Sequence, residues 1–237
     1  MDLVLIDIND PESIYFECAC LYQILYKPMM VTAYIAVQTF PWAFLSFAIT
    51  QLDILIYNLE NMKELIKERR AEKNCSEDEA FQEIFTGCVL HHRAIISFLD
   101  TVEAAFRSQF ALTLLFNGCI ICCTGVQLFS IQSLTKDFVD VLWVLAYLQI
   151  FIMIQFGDCY FGNTVYRKST EVATVAFGCP WLTLSTESKR NLIVFIARAQ
   201  KPLLITAYNL VPITLLTFTR VMNWTYKAFA VMNEMKK

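Results

Sequence analysis

From Pro28 to Leu52, between Lys27 and Asp53, the chain carries no charged side chain. Three more such runs follow: Ser108 to Thr135, Val141 to Gly157 (resumed beyond Asp158 from Cys159 to Tyr166), and Leu203 to Thr219. A hydrocarbon core about 30 Å thick is crossed by about 20 helical residues. The first two runs exceed that length outright. The last two reach it with a charge near one end, so all four are expected to span a membrane. The whole composition agrees, at 57% hydrophobic and only 17% charged, with a mean hydropathy of +0.47. A soluble domain rarely reaches that value.

The basic residues orient the spans. One group lies between Lys63 and Arg107 (Lys63, Lys67, Arg69, Arg70, Lys73, Arg93, Arg107), and another between Arg167 and Lys201 (Arg167, Lys168, Lys189, Arg190, Arg198, Lys201). The positive-inside rule places both long connections in the cytoplasm. The N-terminal segment, the short turn Ser130–Asp137 and the C-terminus are then outside. The stretch from Met1 to Met30 has no basic n-region, so no secretory signal peptide is expected there.

Both cytoplasmic connections are expected to be helical. Ser76 with Glu79 forms a capping box, and Asp78 suits the positive end of the helix dipole. No proline interrupts from Ser76 to Gln132, so one helix of more than 50 residues, roughly 80 Å long, would project out of the membrane. Ser185 or Thr186 caps a second, short cytoplasmic helix, with Ile193, Val194, Ile196 and Ala197 expected on its apolar side. Long helices with apolar stripes in water need partners, which points to a cytoplasmic bundle holding subunits together.

Several features carry plain structural readings. Of the nine cysteines, Cys119, Cys122 and Cys123 lie inside an apolar run, where thiols pack as small hydrophobes. The odd total and the lack of paired CxxC motifs argue against a zinc site or disulfide framework. His91 and His92, with no third ligand nearby, are expected at the surface. Asp158 is expected near the headgroups as a solvated or paired charge. The sequons at Asn74 and Asn223 fall on the cytoplasmic side and at membrane depth, so neither is expected to be glycosylated. No HExxH, P-loop, GxSxG or GxGxxG pattern is present, so no enzyme is expected and no cofactor. Nothing suits nucleic acid.

The C-terminal motif ARAQKPLLITA, then VPITLLTF, then Thr225–Tyr226 and Phe229, resembles the C-terminal signature of insect odorant receptors. HHRAIISFLDTVEAAF leading into an apolar run, and GDCYFGNTVYRKSTEVATVAFGCPW closing on Trp181, resemble the family in the same order. The resemblance runs from about Met29 to the end. It implies an all-α membrane protein: four transmembrane helices with long cytoplasmic helical extensions, truncated from a seven-helix odorant-receptor fold. The expected segments are an extracellular loop (1–27), family helix four (28–62), a cytoplasmic linker and anchor helix (63–107) and helix five (108–132). An extracellular turn (133–139), helix six (140–166), a second cytoplasmic linker (167–201) and the pore-lining helix seven (202–235) follow.

The resemblance also implies the function of a tetrameric, ligand-gated, non-selective cation channel assembled with a co-receptor in the plasma membrane of sensory neurons. The implied odorant pocket draws on Thr32, Tyr34, Ile35, Gln38 and Thr39 of the fourth helix and Trp143, Val144 and Tyr147 of the sixth. Aromatics with isolated hydroxyls suit small volatile ligands. The same aromatics also serve for helix packing or as an interfacial belt. The implied pore stripe is Trp224, Ala228, Val231 and Met235, where apolar rings gate ions by dewetting; lipid-facing packing is the plainer role. Three rival readings stand beside this one: a gustatory receptor of the same superfamily, a transporter, and a nonfunctional truncated receptor. A gustatory receptor would carry Gln-Phe after its Thr-Tyr run, where this chain has Lys227. A transporter would show an inverted repeat, and none is evident.

Overall fold

The computed structural model describes residues 14–130 and 138–234. It contains helices α1 (Ile14–Glu60), α2 (Met62–Lys73), α3 (Glu77–Ser130), α4 (Phe138–Phe177), α5 (Thr186–Ala199) and α6 (Leu215–Glu234). A two-stranded antiparallel hairpin, β1 (Thr206–Ala207) and β2 (Val211–Pro212), precedes α6. The chain divides into two compact units, residues 1–41 and 42–237. In the first, the described part is helical and its large apolar side chains are mostly exposed.

Three helical segments, Ile24–Glu60, Glu77–Leu128 and Val141–Phe177, are long and apolar enough to cross a membrane. Their outward apolar side chains, such as Leu115, Phe116, Leu142 and Ile150, are exposed, as a lipid-facing surface requires. The expected projecting helix is present: α3 is continuous over 54 residues, about 81 Å at 1.5 Å per residue. Its start is capped as its sequence requires. The Ser76 backbone N–H donates to Glu79 Oε2 at 2.9 Å, and the Glu79 N–H donates back to Ser76 Oγ at 3.3 Å. Charged residues recur from Glu77 through Arg107, so the part of α3 before Ser108 lies outside the uncharged stretch that begins there.

Those outlying segments pack into a bundle with a core of Leu55, Leu59, Met62, Phe81, Val172, Ala176 and Leu192, all buried. Each large side chain removed from water contributes about 1.5–3 kcal/mol. Phe85 stacks on Phe81 at 5.1 Å and meets the Phe195 ring edge-on at 5.4 Å. Ser185 caps α5 by accepting the Ser188 N–H. Asp78 Oδ1 accepts the Ser185 N–H at 3.0 Å, which ties the start of α5 to the start of α3.

Three expectations are corrected. The buried side of α5 is Leu192, Phe195 and Ala199, while Ile193, Val194 and Ala197 are exposed. LIVFI is apolar all round, so composition alone could not choose the face. His92 is not at the surface: it is buried, its ring edge-on to Phe195 at 5.2 Å. His91 is half-buried, 2.9 Å from Gln51 Oε1.

The third correction is the largest. The run Leu203–Thr219 is not one helix. Residues 203–214 form the hairpin and its flanks, and α6 begins only at Leu215. Pro202 and Pro212 supply no backbone N–H, and the residue before a proline is driven to extended geometry. Tyr208 and Asn209 sit at φ 52° and 57°, left-handed values that turn the chain. The hairpin closes with Leu210 N–H to Ala207 O at 3.0 Å and Ile213 N–H to Ile205 O at 2.8 Å. The last helix is therefore the 20 residues of α6, about 30 Å, and it carries Arg220 and Lys227. It is not among the three helices above.

Candidate functional site

The α3 and α4 segments flanking the residue 131–137 connection line an open cavity of about 540 Å³. Ile120, Thr124 and Gln127 form one wall, at i, i+4 and i+7 of α3. Trp143, Val144, Tyr147 and Phe151 of α4 form the other. Such spacings put each set on a single helix face. Val144 is buried, whereas Trp143 and Tyr147 stand exposed at the rim. The Thr124 hydroxyl is spent within its own helix, on the Ile120 carbonyl. The wall is thus aromatic and aliphatic, with the Gln127 amide and the Tyr147 hydroxyl as its polar points.

Three of the eight residues expected in a pocket, Trp143, Val144 and Tyr147, are thus brought together. The other five belong to the residue 1–41 unit. There Thr32 Oγ1 donates to Pro28 O at 2.8 Å and Thr39 Oγ1 to Ala36 O at 3.0 Å. Both hydroxyls are exposed, as are Tyr34 and Ile35, while Gln38 is buried. Sequence reasoning missed the α3 wall. Its signal was present in the polar residues Thr124 and Gln127 of an uncharged run.

The expected pore stripe lies on α6. Trp224, Ala228 and Val231 are all exposed, on one face; Met235 falls outside the described residues. The opposite face packs against α3 and α4. Thr217 is buried, and its hydroxyl donates to Pro212 O at 2.6 Å. Val221 packs over Gly118 of α3, its Cγ1 3.6 Å from where a Cβ would stand, an ordinary contact distance. Phe218 meets Phe156 of α4 edge-on at 5.5 Å. The Trp224 ring carries the Lys227 ammonium at 5.8 Å, a cation–π contact.

The hairpin links α6 to both long helices. Tyr208 hydroxyl is 2.8 Å from Ser108 Oγ, and its ring lies under the Arg107 guanidinium at 5.6 Å. Thr206 Oγ1 donates to Glu103. Gly162 of α4 leaves room for the Ile213 carbonyl, whose oxygen would lie only 2.2 Å from a Cβ placed there. Among the described residues no group of His, Cys, Asp and Glu could hold a metal ion.

The family model for the seven-transmembrane odorant receptors matches residues 1–226. The chain belongs to the insect odorant receptor family. Its similar relatives include Odorant receptor 47b of Drosophila melanogaster, 31% identical over 158 residues, which cover 66% of this chain and 38% of that one. Odorant receptor 10 of Aedes albopictus is 27% identical over 141 residues, covering 60% and 36%. Odorant receptor 30a of Drosophila melanogaster is 23% identical over 232 residues, covering 98% and 58%. The solved structure of the olfactory receptor OR5 from Machilis hrabei, in complex with eugenol, superposes with a TM-score of 0.75 at 16% identity, covering 95% of this chain and 54% of that chain. The chain thus spans between about a third and three-fifths of the length of these relatives.

Within this odorant receptor chain, one buried carboxyl stands out. Asp158 on α4 is 3% exposed and accepts the Trp42 indole N–H at 2.6 Å. It is not solvated, and among the described residues it meets no cation, which corrects the expectation of a headgroup-level charge. Gly157 makes the contact possible: the Trp42 ring lies 2.4 Å from where its Cβ would be.

Proposed function

We propose that this chain is part of an olfactory receptor that binds small, mostly apolar volatile molecules in the α3–α4 cavity. Binding there would gate a non-selective cation pore assembled with a co-receptor in the plasma membrane of sensory neurons. Three of the residues that the family resemblance implied for ligand binding meet in one cavity of about 540 Å³. Its volume falls in the range of small-molecule sites, roughly 300–1,000 Å³. The fold shared with OR5, a receptor solved with eugenol, supports the same reading. A receptor role is also what membership of this family favours over an enzyme.

The coupling route runs from the cavity along α4. Trp143, Tyr147 and Phe151 lie at its end, and about one and a half turns further Phe156 touches Phe218 of α6. A ligand that opens the pore must bind the open arrangement more tightly than the closed one. Ligand-driven displacement of α4 against α3 would be felt at Phe218 and carried to Trp224, Ala228 and Val231. On this reading the C-terminus is outside and the exposed α6 stripe faces the conduction path, where apolar side chains govern wetting.

The test is whole-cell recording of the chain co-expressed with its co-receptor. Val231→Ala should raise the leak current or change ion permeability, and unchanged currents would remove α6 from the pore.

A further inference from the structure

The cytoplasmic bundle carries a second cavity that the odorant reading does not use. Lys63, Lys67 and Arg70 occur at i, i+4 and i+7 of α2, one face of the helix, and all three line a cavity of about 510 Å³. The facing wall is the α4–α5 connection, Gly178 to Thr183, with half-buried Pro180 and the exposed Trp181. Ile66 and Cys179, both buried, form the floor.

The charges on this wall are not neutralised from within. Among the described residues, neither Lys63 nor Lys67 reaches a carboxylate. Other cations of α2 do: Lys73 sits 2.6 Å from Glu83, and Arg69 lies 3.6 Å from the same carboxylate. Arg70 meets Glu77 only at 4.0 Å, and that carboxylate already accepts the Thr183 hydroxyl at 3.0 Å. Three cations therefore face the cavity against one acid. A lysine row on an open helix is ordinarily a solvated face; this one is walled by the loop carrying Trp181.

We propose that this cavity binds a soluble polyphosphate anion. Two ammonium groups and a guanidinium fork, all exposed along one open cavity, are the donor set that phosphate oxygens require. A bilayer headgroup would offer the same chemistry, but the place is wrong for it. Glu77, on the cavity wall, opens the continuous helix α3, and the uncharged stretch of that helix begins only at Ser108. The two positions are about 46 Å apart along the helix axis. A ligand dissolved in the cytoplasm reaches that depth and a membrane lipid does not.

The test is calorimetric titration of tripolyphosphate into the full chain in nanodiscs of neutral phosphatidylcholine, with a second series in nanodiscs containing phosphatidylinositol bisphosphate. Saturable binding to the neutral discs is expected. The double variant Lys63→Gln/Lys67→Gln should weaken it roughly tenfold or more, each lost charge-assisted bond contributing to that factor. Lys73→Gln, whose ammonium is already paired, should leave it unchanged. The proposal is overturned by no saturable binding, by equal weakening in Lys73→Gln, or by a lysine-dependent signal found only when the phosphate is held on the lipid.

Discussion

The indole N–H of Trp42 donates to the carboxyl of Asp158 at 2.6 Å, across 116 residues of sequence and inside the apolar part of α4. Asp158 is almost fully buried, Trp42 is half-buried, and Gly157 leaves no side chain between the carboxyl and the ring. A polar group in such surroundings is expensive unless satisfied, so the pair fixes how the second half of α1 packs on α4.

Removing the donor alone should therefore cost more than removing both groups. Trp42→Phe strands the carboxyl, with an expected loss of about 1–3 kcal/mol. Adding Asp158→Leu to Trp42→Phe should recover part of it. Thermal unfolding of the single and double variants in the same detergent measures the coupling; strictly additive losses would show that the bond is incidental.

The glycines of α3 and α4 should behave in opposite ways. At Gly162 a methyl group would stand 2.2 Å from the Ile213 carbonyl oxygen, so Gly162→Ala should displace the hairpin and destabilise by about 1–3 kcal/mol. At Gly87 a Cβ meets nothing within 4 Å. Gly87→Ala should raise stability by about 0.5–1 kcal/mol, the ordinary gain for alanine inside a helix. Melting temperatures of the two variants moving in the same direction would contradict the packing described.

The hairpin turn makes a backbone prediction. Asn209 sits at φ 57°, a left-handed conformation that costs β-branched residues more than it costs asparagine or glycine. Asn209→Gly should be tolerated, while Asn209→Val should destabilise by about 1–2 kcal/mol. Equal melting temperatures would mean the segment folds as a helix after all.

Thiol reactivity should separate Cys179 from Cys75. Burial pushes the Cys179 thiol up to about 11, and the side chain is 4% exposed beneath the Leu59 carbonyl, 3.6 Å from Sγ. The thiolate is the reactive species, so near neutral pH iodoacetamide should label the half-buried Cys75 well before Cys179. A raised folded-state value also means that the unfolded chain ionises first as pH climbs. Any stability held by this group is present below about pH 9 and is lost as pH rises towards about 11. Peptide mass spectrometry after timed labelling reads the first effect directly.

Much of this architecture was legible in the sequence because its signals are local. The Ser76–Glu79 box and the unbroken run to Gln132 announce α3, and Ser185 announces α5. The hairpin was hidden because Leu203–Thr219 has the hydropathy of a membrane helix, and only Pro212 and Asn209 speak against it. The Trp42–Asp158 bond and the α3 wall of the cavity were hidden for a different reason. They arise where distant helices meet, and no periodicity within one segment records its neighbour.

Odorant occupancy of the α3–α4 cavity can be read from equilibrium binding. The purified chain in lipid nanodiscs would be titrated with a panel of small volatile aromatics, as wild type, as Tyr147→Ala and as Tyr166→Ala. Both tyrosines are on α4 and exposed, but only Tyr147 lines the cavity. Tyr147→Ala should bind roughly tenfold more weakly, the loss expected for one aromatic wall, and Tyr166→Ala should bind as the wild type does. Equal affinities for all three proteins would contradict that occupancy.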